Sequence, residues 1–207
     1  MSSITLFTTL QNRNEFKFKE KGSLFIGNAI PVNTVELAEF SLEEIRKKYY
    51  DATHNCFAYN LFGNQSRYSD DGEPNGTAGL RILNAIEHFS LINTLVVVTR
   101  YYGGVKLGVG PLGKAYYYAA YNVLETSDKQ QKELYNRILI DFDYDMTSNV
   151  HHFININSVK GIENIFELKP RIICYIKPEN MEPLINQLRE VSRDTISVEI
   201  IGENFLL

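Results

Sequence analysis

Leu95-Val96-Val97-Val98 sits inside the stretch Asn93 to Tyr102, whose length and β-branched content predict a strand. Side chains alternate across a strand, so four consecutive apolar residues require cover on both faces. The flanking sequence supplies the cover. Ala38, Leu42, Ile45 and Tyr49 share one helical face, which predicts a helix over Val35 to Tyr50 with Thr34 as its N-cap. Gly76 to His88 and Pro111 to Glu125 read as two further helices, with Pro111 suited to a first turn. Phe16 to Phe18, Ser23 to Val32 and His54 to Phe62 read as strands. Gly63 to Pro74 reads as a polar loop and Tyr101 to Gly110 as a glycine-rich one.

The polar segment Thr126 to Lys132 marks a boundary, giving domains 1–127 and 128–207. After it the pattern runs strand (Leu134 to Ile140), helix (Asp145 to Asn157), strand (Ile162 to Leu168), strand (Arg171 to Lys177), helix (Met181 to Val191) and strand (Thr195 to Ile200, with Ile196, Val198 and Ile200 inward). That βαββαβ order fits a ferredoxin-like sandwich, so the chain as a whole is α+β in two domains. Residues 1–127 carry 12 basic and 12 acidic side chains, whereas 128–207 carry 9 and 13. The net charge of −4 therefore rests in the second domain, which is poorly suited to gripping phosphates by charge alone. Two cysteines far apart, Cys56 and Cys174, exclude a disulfide framework and a zinc motif. Met1 to Leu10 lacks the basic start of a signal peptide, and no apolar run is long enough to span a bilayer. A cytoplasmic protein without membrane partners is expected.

Four segments hold the residues that carry chemistry. His54 and Cys56 lie two apart on a strand and so share a face; the pair reads either as an activated thiol or as a packed thiol beside a hydrogen-bonded imidazole. Asp70, Asp71 and Glu73 place three carboxylates within four residues, which calls for solvent, an oxygen-liganded Mg²⁺ or Ca²⁺, or nearby cations such as Arg100 and Lys106. Gly108, Gly110 and Gly113 match G-x-G-x-x-G, but Gly103 and Gly104 intervene after the strand and no acidic residue follows at the expected distance, so a dinucleotide site is rejected. A loop that cradles an anion, and a loop that merely turns, both remain open. Tyr101, Tyr102, Tyr116, Tyr117, Tyr118 and Tyr121 cluster near Arg100, Lys106 and Lys114, as stacking platforms for single strands do, though helical spacing equally suits core packing.

Asp70-Asp71-Gly72-Glu73-Pro74-Asn75-Gly76-Thr77-Ala78-Gly79 and Val97-Val98-Thr99-Arg100-Tyr101-Tyr102-Gly103-Gly104-Val105-Lys106-Leu107-Gly108 together resemble the YigZ/Impact family. Lys21-Gly22-Ser23 through Ile30-Pro31-Val32 and Asp51 to Tyr59 extend the resemblance over about residues 16–126. Asn75, Tyr102 and Gly113 depart from the usual residues. The resemblance implies an N-terminal α/β domain similar to domain 2 of a small-subunit ribosomal protein and to domain IV of elongation factor G, followed by a ferredoxin-like domain similar to others of that factor. It implies a translation-linked regulator that binds RNA or a ribosome-associated protein. The residues themselves suggest the binding set: Arg100 and Lys106 meet phosphate, Tyr101 or Tyr102 stacks, and Asp70, Asp71 and Glu73 position those cations beside Gly103 and Gly104. The rival is an enzyme acting on a small phosphorylated or nucleotide ligand. There Asp70, Asp71 and Glu73 hold Mg²⁺, and His54 and Asp71 are the catalytic candidates. Either way, His54, Asp70, Glu73, Arg100 and Lys106 are expected to converge in space.

Overall fold

The computed structural model describes residues 6–207. Of the N-terminal segment read above for a signal peptide, residues 1–5 lie outside the described residues, and Leu6–Leu10 form strand β1. The described residues fall into two compact units, Thr8–Gln131 and Lys132–Leu207 together with residues 6–7. Both mix helix and antiparallel sheet, so the fold is α+β with two sheets and five α-helices.

In the first unit the Leu95–Val98 run lies in β6 (Thr94–Tyr101), the middle strand of the antiparallel order β2 (Asn14–Glu20), β3 (Ser23–Pro31), β6, β4 (His54–Leu61), β5 (Gln65–Ser69). Both faces are covered, as the run requires. Leu95 and Val97 pack with Ala38, Leu42 and Ile45 of α1 (Val35–Lys48). Val96 and Val98 pack with Ile82 and Ile86 of α2 (Gly79–His88) and with Tyr116 and Ala120 of α3 (Val109–Glu125). Each buried Val, Leu or Ile among them contributes about 1.5–3 kcal/mol of hydrophobic stabilisation. Thr34 caps α1 by accepting from the Leu37 N–H at 3.1 Å.

Three local expectations change. The stretch Gly63–Pro74 is not all loop, because Gln65–Ser69 forms an edge strand on β4. An edge strand needs no apolar alternation, and Gly63 and Asn64, both at positive φ, close the hairpin. Helix α3 starts at Val109, two residues ahead of Pro111, and α2 starts at Gly79. The polar segment before Lys132 is largely strand: β7 runs from Lys129 to Asp141. The Lys129 ammonium reaches back to the Leu124, Glu125 and Ser127 carbonyls and so satisfies the C-terminal end of α3.

The second unit is the expected β7-α4-β8-β9-α5-β10 alternation, with α4 Thr147–Ile156, β8 Lys160–Phe166, β9 Pro170–Ile176, α5 Pro178–Ser192 and β10 Ser197–Leu206. The antiparallel order β8-β9-β7-β10 is that of a ferredoxin-like sheet. Ile138, Ile140, Ile172 and Cys174 meet Val150, Ile154, Leu184 and Leu188 of the two helices. Ile196 and Val198 join this core, but Ile200 stands exposed where the β10 pairing slips between Ile200 and Gly202. No described helix is long and apolar enough to cross a membrane.

Candidate functional site

The polar residues singled out in the sequence do meet, at one end of the first unit's sheet. Pairing of β4 with β6 sets His54 opposite Arg100, and the loop after β5 brings Asp70, Asp71 and Glu73 beneath them. The centre is a buried ion pair: Arg100 Nη1 donates to Glu73 Oε1 at 2.5 Å, with the two side chains only 6% and 5% exposed. The Tyr116 hydroxyl of α3 donates to the same oxygen at 2.8 Å. Burial pushes that phenol far above its ordinary range, so it stays protonated as a donor. Arg100 Nη2 donates to Ser23 Oγ at 3.3 Å, and the same oxygen accepts from the Gly103 N–H at 3.2 Å. The guanidinium lies 5.4 Å from the ring centres of Phe25 and Tyr102. Its Nε has no hydrogen-bond partner among the described residues.

His54 Nδ1 lies 2.6 Å from the Asp71 carbonyl oxygen. A carbonyl only accepts, so Nδ1 carries the proton and Nε2 is left facing Glu73 Oε1 at 4.0 Å. Cys56 is fully buried and its S–H donates to the Asp70 carbonyl at 3.0 Å. Burial, reinforced by the charges of Glu73, Asp71 and Asp70, pushes this thiol well above its usual range. A nucleophile needs the thiolate, so of the two readings of His54 and Cys56 the structure selects the packed thiol and bonded imidazole.

The three carboxylates serve three different purposes. Asp70 accepts from the Gly76, Ala78 and Gly79 N–H groups at 2.8–2.9 Å and thereby caps the entry to α2. Asp71, at φ +45°, accepts from the Asn55 N–H at 2.7 Å and has Arg46 at 3.7 Å. Glu73 is held by Arg100 and Tyr116. Among the described residues no group of three carboxylate, imidazole or thiol side chains is arranged to hold a metal ion. The three carboxylates expected as a Mg²⁺ ligand set point to separate partners instead: backbone N–H groups engage Asp70 and Asp71, and Arg100 engages Glu73.

Lys106 does not join the cluster. It is exposed and makes no ion pair or hydrogen bond among the described residues. The loop that carries it is anchored at its start: the Tyr102 N–H donates to Thr53 Oγ1 at 3.0 Å, and Tyr101 donates to Asp51 at 2.7 Å. That bond to Asp51 pushes the Tyr101 phenol up to about 12. Gly103 packs so closely on Gly22 that a Cβ would stand 1.9 Å from the Gly22 carbonyl carbon. Tyr102 and Val105 stand outward, 44% and 53% exposed, and Gly104, at φ +84°, faces open space.

A cleft of about 580 Å³ opens between the N-terminal halves of α2 and α3. Arg81, Asn84, Lys114, Tyr117 and Tyr118 line it, with Gly113 at its wall. The sequence reading singled out Lys114 and the tyrosines but not Arg81 or Asn84. Their three-residue spacing on α2, matched by Lys114, Tyr117 and Tyr118 on α3, is the signal that marks two facing helix surfaces.

The fold and this arrangement define a two-unit α+β protein whose glycine-rich loop stands on a buried Glu73–Arg100 pair. The Impact N-terminal domain model matches residues 21–124, which is half of the chain and holds all of these residues. An IMPACT family member of Haemophilus influenzae is 30% identical over 198 residues, covering 91% of this chain and 94% of that one. The chain belongs to the IMPACT family. It is also 39% identical over 112 residues to the IMPACT family member YvyE of Bacillus subtilis, of which it spans about half, 52%. It is 35% identical over 94 residues to Protein IMPACT of Oryctolagus cuniculus, of which it spans 30%. A solved structure titled a hypothetical protein shares the fold, with TM-score 0.71 and 24% identity over 97% of this chain and 99% of that one.

Proposed function

We propose that the chain is a translation-linked regulator that binds RNA through the glycine-rich end of its first unit. The carrying observation is the buried Glu73–Arg100 pair. Arg100, the strongest phosphate-binding candidate in the sequence, is held inward and neutralised, and the acidic loop is engaged in fixing the chain. The cluster therefore acts as a latch under the loop, which presents Tyr102 and the unpaired Lys106 outward. An aromatic face beside a free cation suits a single strand, whose bases stack and whose phosphates attract. Membership of the IMPACT family supports the translation link, through the likeness to parts of the translation machinery that the family resemblance implies.

Fluorescence anisotropy with a labelled 20-nucleotide single-stranded RNA tests this. Tyr102→Ala should weaken binding by about 1–3 kcal/mol, as loss of a base-stacking ring does. Lys106→Ala should weaken it while leaving thermal stability unchanged. Failure of the unmodified chain to bind the RNA at low salt contradicts the proposal, as does capture of a protein partner that depends on Tyr102 and Lys106 with no RNA present.

A further inference from the structure

The cleft between α2 and α3 differs electrostatically from the rest of this acidic chain. Arg81 and Lys114 both line it, both are exposed, and neither has an ion pair or hydrogen bond among the described residues. No carboxylate is among the described residues that line it. A second cleft of this unit, about 550 Å³, shows the contrast. It too holds two cations, Arg13 and Lys48, but these pair with Glu44 at 2.7 Å and Glu15 at 2.9 Å. Two uncompensated cations sharing a concave surface repel each other, and an anion relieves that repulsion.

The remaining walls specify more than a bare anion. Tyr118 is half exposed, and its ring is held edge-on by Phe18 at 4.9 Å and by Phe16 at 6.1 Å. It is thus fixed before any ligand arrives, so little ordering opposes stacking on it. Asn75 and Asn84 line the same cleft, and their amides have no hydrogen bonds among the described residues. Each offers donors and an acceptor to a base edge. Gly110, at the α3 wall, has open space where a side chain would stand, so a ligand can approach the backbone there. A volume of about 580 Å³ lies within the range of small-ligand pockets, roughly 300–1,000 Å³.

We infer that this cleft seats one nucleoside phosphate, its phosphate between Arg81 and Lys114 and its base against Tyr118, with Asn75 and Asn84 facing the base edge. Resting on the RNA reading above, the inference takes this unit to be one nucleotide of a strand that continues over the Tyr102–Lys106 loop, which leads directly into α3. A free nucleotide has the same chemistry, and the experiment separates the two sources.

Full-length chain is titrated with the labelled 20-nucleotide RNA, and AMP, adenosine and inorganic phosphate are added as competitors. AMP should compete, and adenosine and inorganic phosphate should each compete more weakly. The double variant Arg81→Ala, Lys114→Ala should bind RNA at least about ten-fold less tightly, since hydrogen bonds to a charged group contribute at least a decade of affinity. Both side chains are exposed, so an unchanged melting curve should accompany the loss; Arg81→Glu should weaken binding further. If Tyr102→Ala and Lys106→Ala weaken RNA binding but the double variant does not, the cleft inference falls and the RNA reading stands. If RNA does not bind but AMP does, and the double variant abolishes it, the RNA reading falls and the cleft takes a free nucleotide. Inorganic phosphate competing as well as AMP overturns the inference, because the tyrosine wall would then contribute nothing.

Discussion

Arg100→Met removes the positive half of the buried pair while keeping much of the side-chain volume. Glu73 is then left 5% exposed, with the Tyr116 hydroxyl as its close donor. Removing one partner of a buried pair costs about 3–5 kcal/mol, because the other charge stays desolvated and uncompensated. At a urea dependence of about 2 kcal/mol/M the unfolding midpoint of the first unit should fall by roughly 2 M. The chain has no tryptophan, so the buried thiol serves as the reporter. In a Cys174→Ala background, reaction of Cys56 with a thiol reagent follows the opening of this unit alone. Arg100→Met combined with Glu73→Leu should recover most of the loss, since an apolar pair of similar volume carries no stranded charge. A loss below about 1 kcal/mol in the single variant, the value of an exposed pair, would refute the latch.

Further expectations follow from the same geometry. Asp70→Ala should destabilise the first unit by about 2 kcal/mol in urea titration, since three N–H groups at the entry to α2 lose a charged acceptor. Gly103→Ala should cost more than the typical 1–3 kcal/mol of overpacking, because its Cβ meets Gly22 backbone that cannot move aside, whereas Gly104→Ala should cost only the roughly 1–2 kcal/mol of an unfavourable φ. Burial raises the Glu15 carboxyl, but hydrogen bonds from Lys17, Tyr49 and Lys48 outweigh it and hold the group at about 2, against an ordinary value of 4.5. A depressed carboxyl gives stability that is present above 4.5 and lost as pH falls towards 2, so Glu15→Gln should flatten that limb of a melting-temperature profile.

The periodic elements were legible in the sequence. The run Leu95–Val98 required two covered faces, and the heptad-like spacing of Ala38, Leu42 and Ile45 announced one cover. The alternation after Lys132 gave the second unit its topology. What was lost had weak local signals. Edge strand β5 buries none of its side chains, because pairing with β4 and not burial holds it. The polar segment at Lys129 joins a strand because β7 pairs with β1, a partner far away in sequence. The convergence of His54, Glu73 and Arg100 was readable from residue type. Their roles were not, because only coordinates show that Asp70 is occupied by backbone N–H groups, that Cys56 is buried and that Lys106 stands apart.

The salt dependence of RNA binding tests the central claim most directly. With Arg100 turned inward, phosphate contact falls to Lys106, Arg81 and Lys114, and three contacts to a single strand predict a slope of log affinity against log salt of about −2. Lys106→Ala should flatten that slope by about 0.7. A slope near zero, or a slope that Arg100 variants alter while those three cations leave it unchanged, would contradict the account.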